Sequence, residues 1–271
     1  MKFSRLPPFV TALAACLAVA TVPISSCTTV PDTGRRQLNM LPASQEMEMG
    51  LSAFQKYKSE NKVSGDPAKN AQLRRVAARL TKVIPLPNAE WEFVVFEDPT
   101  PNAFALPGGK VGVHTGLFQV TQNDAGLAAV VGHEIAHVVA RHGGERASQT
   151  TLAGVAGSLL EAGARGAAGV SSGQASTLLG AYGVAASLGV ILPFSRMQEL
   201  EADELGALYM ARAGYDPREA VSMWTRFAAY KDRSGSGGTP EFLSTHPVDS
   251  TRIAKLEEFM PRALQEYRPQ A

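Results

Sequence analysis

Cysteine is scarce in this 271-residue chain, occurring only at Cys16 and Cys27. Cys16 lies in an apolar N-terminal stretch expected to be removed, which leaves Cys27 alone and excludes an intramolecular disulfide. Charge is also sparse: 26 Lys and Arg against 25 Asp and Glu leave a net charge of +1, with 19% charged residues. This balance, with no basic cluster, argues against nucleic acid as a partner. Long apolar runs are few. Gly166 to Phe194 has no charged residue, but Ser171, Ser172, Gln174, Ser176 and Thr177 interrupt it. Its mainly apolar part, Leu178 to Leu192, is short for a bilayer crossing and stops at Pro193. We expect a helical flap there, rich in small residues, with a membrane span as the alternative.

The N-terminus has the order of a secretory signal: Lys2 and Arg5, then the apolar Phe9 to Val22, then Ile24-Ser25-Ser26-Cys27. Small residues before a cysteine resemble a bacterial lipobox, in which cleavage precedes Cys27 and its thiol and amine become acylated. An ordinary signal peptide with an incidental cysteine is the plainer reading. We assign 1–26 to a lipoprotein signal peptide, 27–42 to the lipidated cysteine and a linker, and 43–271 to one domain. Thr28 after the cysteine is not aspartate, which by analogy with enterobacterial sorting favours the outer membrane.

In the domain, helices are predicted from Ser44 (as N-cap) to Glu60 and from Asp66-Pro67 to Val83. Trp91 to Phe96 reads as a strand. Asn102 to Leu106 and Lys110 to His114 read as a hairpin across Pro107-Gly108-Gly109. A strand edge here could pair with an extended peptide, although plain structure explains the pattern equally well. Asn123 and Asp124 then precede an apolar run from Ala125 to Ala140, with Gly143-Gly144 as its expected stop.

Within that run stands His133-Glu134-Ile135-Ala136-His137. Two histidines one turn apart on a helix can bind one metal ion, and the glutamate beside them can take a proton from water. Val130, Val131, Ile135, Val138 and Val139 imply a buried helix. Three polar residues there are costly without a partner, and a metal is the natural one. A catalytic zinc site needs a third ligand. The metzincin pattern would put histidine at 143 and glycine at 140, where Gly143 and Ala140 stand. His142 misses by one position and is expected at the helix C-terminus. Downstream, Ser195 to Glu204 carries Glu199 and Asp203 on one helical face, as a ligating glutamate and an aspartate orienting a histidine would need. Glu201 points elsewhere and reads as a solvated surface charge. Ser195 with Gln198 suggests the helix start, and Gly214 its end. A further helix follows from Asp216-Pro217 to about Lys231. Ser234 to Gly238 then forms a loop, and a last helix opens at His246-Pro247 and runs to Phe259.

These motifs, with Thr245-His246-Pro247 and Arg252, resemble the HtpX and CAAX-prenyl-endoprotease (Ste24-like) family of zinc metallopeptidases, over roughly residues 40 to 262. The resemblance extends to its single-domain bacterial lipoprotein members. It implies an α+β, mainly helical gluzincin-type domain, with a small sheet beside the active-site helix and one zinc ion per chain. By position the ligands are His133, His137 and Glu199, Glu134 is the general base, and Asp203 and Arg252 support the ligands. Asn102, Ala103 and Phe104 fall in the stretch expected to bind substrate. His246 becomes a candidate at the cleft, either stabilising the tetrahedral intermediate or blocking the open zinc position. Some relatives carry tetratricopeptide repeats after the protease; none is expected here. The expected activity is endoproteolysis of unfolded or misassembled envelope proteins by an outer-membrane lipoprotein facing the periplasm, with the assembly machinery as a partner. The rivals are an assembly chaperone that uses the same cleft, and a structural metalloprotein with a closed zinc site.

Overall fold

The computed structural model describes residues 27–166, 171, 192–234 and 241–269. The residues expected to form a signal peptide, most of the expected flap and nearly all of the expected loop Ser234–Gly238 lie outside this set. The chain forms two compact units. In the first, β1 (Cys27–Thr29) pairs antiparallel with β2 (Arg36–Leu38), Cys27 opposite Leu38. Cys27 is exposed. Helix α5 (His142–Gly166) belongs to this unit from Gly144 onward, and there Ser148 Oγ donates to Gly144 O and accepts from Met40 N.

The second unit carries the chemistry. Its first helix, α1 (Ala43–Glu60), starts one residue earlier than expected. Pro42 occupies the cap position without a side-chain hydrogen bond, so Ser44 is not the cap. Helix α2 (Pro67–Leu80) starts as expected: Asp66 Oδ1 accepts from the backbone of Ala68 and Lys69, and Pro67 fills the first position, which needs no donor. Three strands follow, β3 (Glu92–Phe96), β4 (Ala103–Leu106) and β5 (Lys110–His114), in the order β3-β5-β4. The expected hairpin is β4-β5, antiparallel, turning through Gly108 and Gly109 at φ 88° and 84°, values that glycine adopts without strain. β3 joins parallel to β5 on its other side.

After the short helix α3 (Phe118–Thr121) comes α4 (Asp124–Val139), capped by Asn123 Oδ1 accepting from Gly126 N at 2.7 Å. Its residues are buried almost all round, because α2, β4 and α7 (Arg218–Ser234) pack against it. The helix does not run on to Gly143-Gly144. It ends at Ala140, and Arg141 takes the left-handed conformation at φ 52°. Two bonds hold Arg141 there, Nε to Glu46 Oε2 at 2.8 Å and Nη2 to Leu41 O at 2.6 Å, and both glycines enter α5 instead.

Helix α6 (Leu192–Arg212) also starts earlier than expected, with Pro193 in its first turn, so Ser195 lies inside it. Its end is marked by Gly214 at φ 76°, as expected. The last elements are α8 (Glu241–Thr245) and α9 (Ser250–Glu266). His246 lies between these two helices. The last helix opens at Asp249, whose side chain accepts from Arg252 N at 2.8 Å, three residues beyond His246. Among the described residues, no helix is long and apolar enough to cross a membrane.

Candidate metal centre

Helix α4 carries His133, Glu134 and His137 inward, all buried. They reach α6 because two glycines remove the side chains between the helices. A Cβ on Gly206 would stand 3.0 Å from His133 N, and one on Gly132 would stand 3.3 Å from Gly206 O. Backbone therefore meets backbone one residue before the first histidine. This close approach sets Glu199 and Asp203, seven and three residues before Gly206, against the histidines. His246 is presented by α8, its amide donating to Phe242 O at 2.8 Å, and Arg252 by the first turn of α9.

Four donor residues converge: His133, His137, Glu199 and His246. The Nε2 atoms of His133 and His137 are 3.1 Å apart. His133 Nε2 is 3.4 Å from Glu199 Oε2, and His137 Nε2 is 3.3 Å from Glu199 Oε1. His246 Nδ1 lies 3.3 Å from His133 Nε2 and 3.0 Å from Glu199 Oε2. Ligands 2.0–2.1 Å from a zinc ion at the corners of a tetrahedron are separated by about 3.3 Å. The donor set and its edges therefore fit zinc.

The groups behind the ligands are ordered. Asp203 Oδ1 accepts from His133 Nδ1 at 2.9 Å, which leaves Nε2 turned toward the other donors. Arg252 fixes Asp203 through Nε to Oδ2 at 2.5 Å and Nη2 to Oδ1 at 2.9 Å, and reaches Glu199 Oε2 through Nη1 at 3.1 Å. Its guanidinium lies 4.3 Å from the Trp224 ring centroid. Burial alone would neutralise Asp203, but Arg252 overcomes it and holds the carboxyl below its usual range. The same contest holds Glu199 well below its usual range: burial opposes ionisation, and His133, His137 and His246 favour it. For His137 burial wins, and the ring stays neutral.

Glu134 differs from Glu199 and Asp203 beside it. Its Oε1 has no hydrogen-bond partner and lies 3.5 Å from His246 Nε2. Burial, offset in part by His246 and His133, pushes its pKa up. A carboxylate with a raised pKa and an unused oxygen beside the donor cluster is suited to exchanging a proton.

Two expectations are corrected here. Glu201 is not a surface charge: it is 6% exposed and accepts from His142 Nε2 at 2.9 Å, Thr33 Oγ1 at 2.5 Å and Arg35 Nε at 2.7 Å. Its helical phase does differ from that of Glu199, but α6 is covered on that side too, by the turn Val30–Arg35 and the start of α5. His142 is not at the end of the metal-binding helix. It opens α5, fully buried, with Nδ1 2.8 Å from His137 Nδ1. No single motif carried this signal. The hint was a histidine five residues after His137 together with a second glutamate in the α6 motif.

The expected substrate-binding stretch lies at the sheet's edge. The Phe104 ring packs with Phe54, Tyr57 and Phe96 and covers Gly112, so its side chain is used internally. Asn102 O accepts from His114 N at 2.9 Å. By antiparallel alternation, Asn102, Phe104 and Leu106 thus bond to β5, while the peptide groups of Ala103 and Ala105 face the other edge.

Comparison with known proteins agrees with this picture. The model of peptidase family M48 matches residues 67–260. The mitochondrial metalloendopeptidase OMA1 of Schizosaccharomyces pombe is 37% identical over 241 residues, covering 86% of this chain and 66% of that protein. The beta-barrel assembly-enhancing protease of Escherichia coli K12 is 30% identical over 238 residues, 84% of this chain and 46% of its own. The putative beta-barrel assembly-enhancing protease of Vibrio cholerae is 32% identical over 267 residues, 95% and 53%. The chain thus spans about half to two thirds of the length of these relatives.

Proposed function

Because this chain belongs to peptidase family M48, we propose that it is a zinc-dependent endopeptidase of the bacterial cell envelope that cleaves unfolded or misassembled proteins. The proposal includes a lipid anchor at Cys27, placement on the periplasmic face of the outer membrane, and an association with outer-membrane assembly. Similarity to the beta-barrel assembly-enhancing proteases favours that setting. The narrower likeness to bacterial lipoprotein members of the HtpX and CAAX-protease kind belongs to the same proposal.

The observation that carries the catalytic reading is Glu134, buried with an unused oxygen beside four converging donors. A metal site that served only structure has no need of such a group. His133, His137 and Glu199 would hold the zinc, whose role is to supply Lewis acidity toward a peptide carbonyl and an attacking water. Glu134 takes the water's proton at Oε1 and delivers it to the leaving amine. Asp203, itself clamped by Arg252, keeps His133 in the Nδ1–H form and so keeps its Nε2 for the metal. The outward peptide group of Ala105, which is part-exposed, can align an extended substrate as an added strand.

His246 bears on the alternative. With its Nδ1 3.0–3.3 Å from Glu199 and His133 atoms, it stands where a fourth ligand would, which closes the site as a structural zinc site is closed. We read this as a latent arrangement: His246 must withdraw before substrate and water enter. The experiment is casein cleavage by wild type and by Glu134→Gln, with zinc content measured in both. The variant should keep about one zinc and lose activity by about 10²–10⁴-fold. Wild-type turnover in Glu134→Gln would remove Glu134 from the mechanism. No cleavage by the zinc-loaded wild type and by His246→Ala would favour the chaperone or structural reading.

A further inference from the structure

The proposed centre leaves one buried chain of polar groups unexplained, and it runs from His137 to the turn Val30–Arg35. His137 Nε2 lies among the donors, while its Nδ1 is 2.8 Å from His142 Nδ1. Only one proton fits between two facing ring nitrogens. If His137 carries it, Nε2 is bare and can bind an ion. If His142 carries it, His137 must hold its own proton on Nε2, where the ion would bind.

The far side of His142 decides between these. Its Nε2 is 2.9 Å from Glu201 Oε2, and a carboxylate can only accept, so His142 donates there. A neutral His142 with its proton on Nε2 has a bare Nδ1 and accepts from His137. Glu201 is in turn fixed from the turn: Thr33 Oγ1 donates to Oε1 at 2.5 Å and Arg35 Nε to Oε2 at 2.7 Å. The turn is itself held in place. Val30 is buried in the core, Asp32 pairs with Arg212 at 2.8 Å, and Asp32 and Gly34 adopt left-handed backbone at φ 63° and 72°.

We propose that Thr33, Arg35, Glu201 and His142 are positioning residues of the metal centre, which together hold His137 in the Nδ1–H tautomer with Nε2 free for the ion. This rests on the zinc reading above. His133 gets the same service from Asp203 directly; for His137 it is relayed through a second imidazole. Residues expected to be a mere tether behind Cys27 thereby become part of the site.

The test uses the full chain, zinc-loaded and ¹⁵N-labelled at histidine. Nitrogen shifts and couplings should show His142 protonated at Nε2 and bare at Nδ1, and His137 protonated at Nδ1. A proton on His142 Nδ1 would overturn the proposal. Zinc affinity, read by chelator competition, should fall about 10–100-fold in Glu201→Gln, the usual range for groups that orient ligands. Thr33→Ala and Arg35→Met should each lose a smaller factor, and Arg35→Lys, which still donates, should recover most of it. Unchanged affinity in the Thr33→Ala/Arg35→Met double variant would also overturn it. If Glu201→Gln fails to fold, the wild-type spectrum and the turn variants still decide. Neither readout uses peptidase activity, so failure of the protease reading leaves this test intact. Absence of zinc binding in wild type would overturn both.

Discussion

Replacing Gly206 by alanine puts the helix contact at the centre of the site to the test. The added Cβ would stand 3.0 Å from His133 N and 3.2 Å from both Gly132 C and His133 Cα. These are backbone atoms of a helix packed on several sides, so α4 and α6 must separate by a few tenths of an ångström. Overpacking of this kind costs roughly 1–3 kcal/mol. The helix propensity of alanine over glycine returns about 0.8–1.0 kcal/mol. The net loss is then about 0–2 kcal/mol, or a melting temperature lower by up to about 8 °C for a chain of this size. The effect on the metal should be disproportionate, because Glu199 and Asp203 ride on α6 while His133 and His137 stay on α4. We expect zinc affinity to fall about ten-fold, the low end of what misplaced orienting groups cause. Gly143→Ala is the control. It also lies in a helix, its Cβ would meet nothing within 4 Å, and it should leave affinity unchanged with neutral or raised stability. Chelator competition and thermal melting of both variants form the assay. If Gly206→Ala binds zinc like wild type and melts no lower than Gly143→Ala, the close helix contact does not hold the ligands in place.

Three further expectations concern the ligands. Glu199→Gln should weaken zinc more than Glu201→Gln, beyond the about 100-fold ceiling for orienting groups, because it replaces an anionic ligand by a weak neutral amide; equal losses would mean that both carboxylates act at a distance. His246→Ala should keep close to one zinc and raise casein cleavage, whereas lost activity with zinc retained would assign His246 to the transition state. The pH dependence follows from His133. Burial disfavours its charged form, but in chelator-treated protein Asp203 and Glu199 raise its pKa from 6.5 to about 9. That proton stabilises the fold below pH 6.5, and the contribution is lost as pH rises through 9. Zinc must displace it. The melting-temperature gain from a fixed zinc excess should therefore grow from pH 6.5 to 9, and a flat or falling gain would refute the assignment.

Local rules carried far into this protein. Spacing along one helix sufficed to pair His133 with His137 and to place Glu134 beside them, because helical geometry fixes neighbours three and four residues apart. The Asp66-Pro67 start and the Asn123 cap were legible for the same reason: each satisfies donors within its own turn. The i, i+4 relation of Glu199 and Asp203 implied a shared face, and tertiary packing supplied the histidine that face meets. Where local rules failed, a distant partner had intervened. Arg141 ends α4 because Glu46 and Leu41, nearly a hundred residues earlier, hold its side chain. Glu201 looked solvated because a helix's phase tells which residues share a face, not how many faces the fold will cover. Its burial depends on a turn some 170 residues upstream, reached only when the chain is folded. Gly132 and Gly206 are ordinary small residues in sequence. Only their meeting across two helices makes the absence of a Cβ decisive. The sequence by itself thus determined which atoms could bind a metal. Tertiary structure decided their separation, the groups that face their rings and their fourth companion, because those depend on contacts between segments whose spacing no helical period encodes.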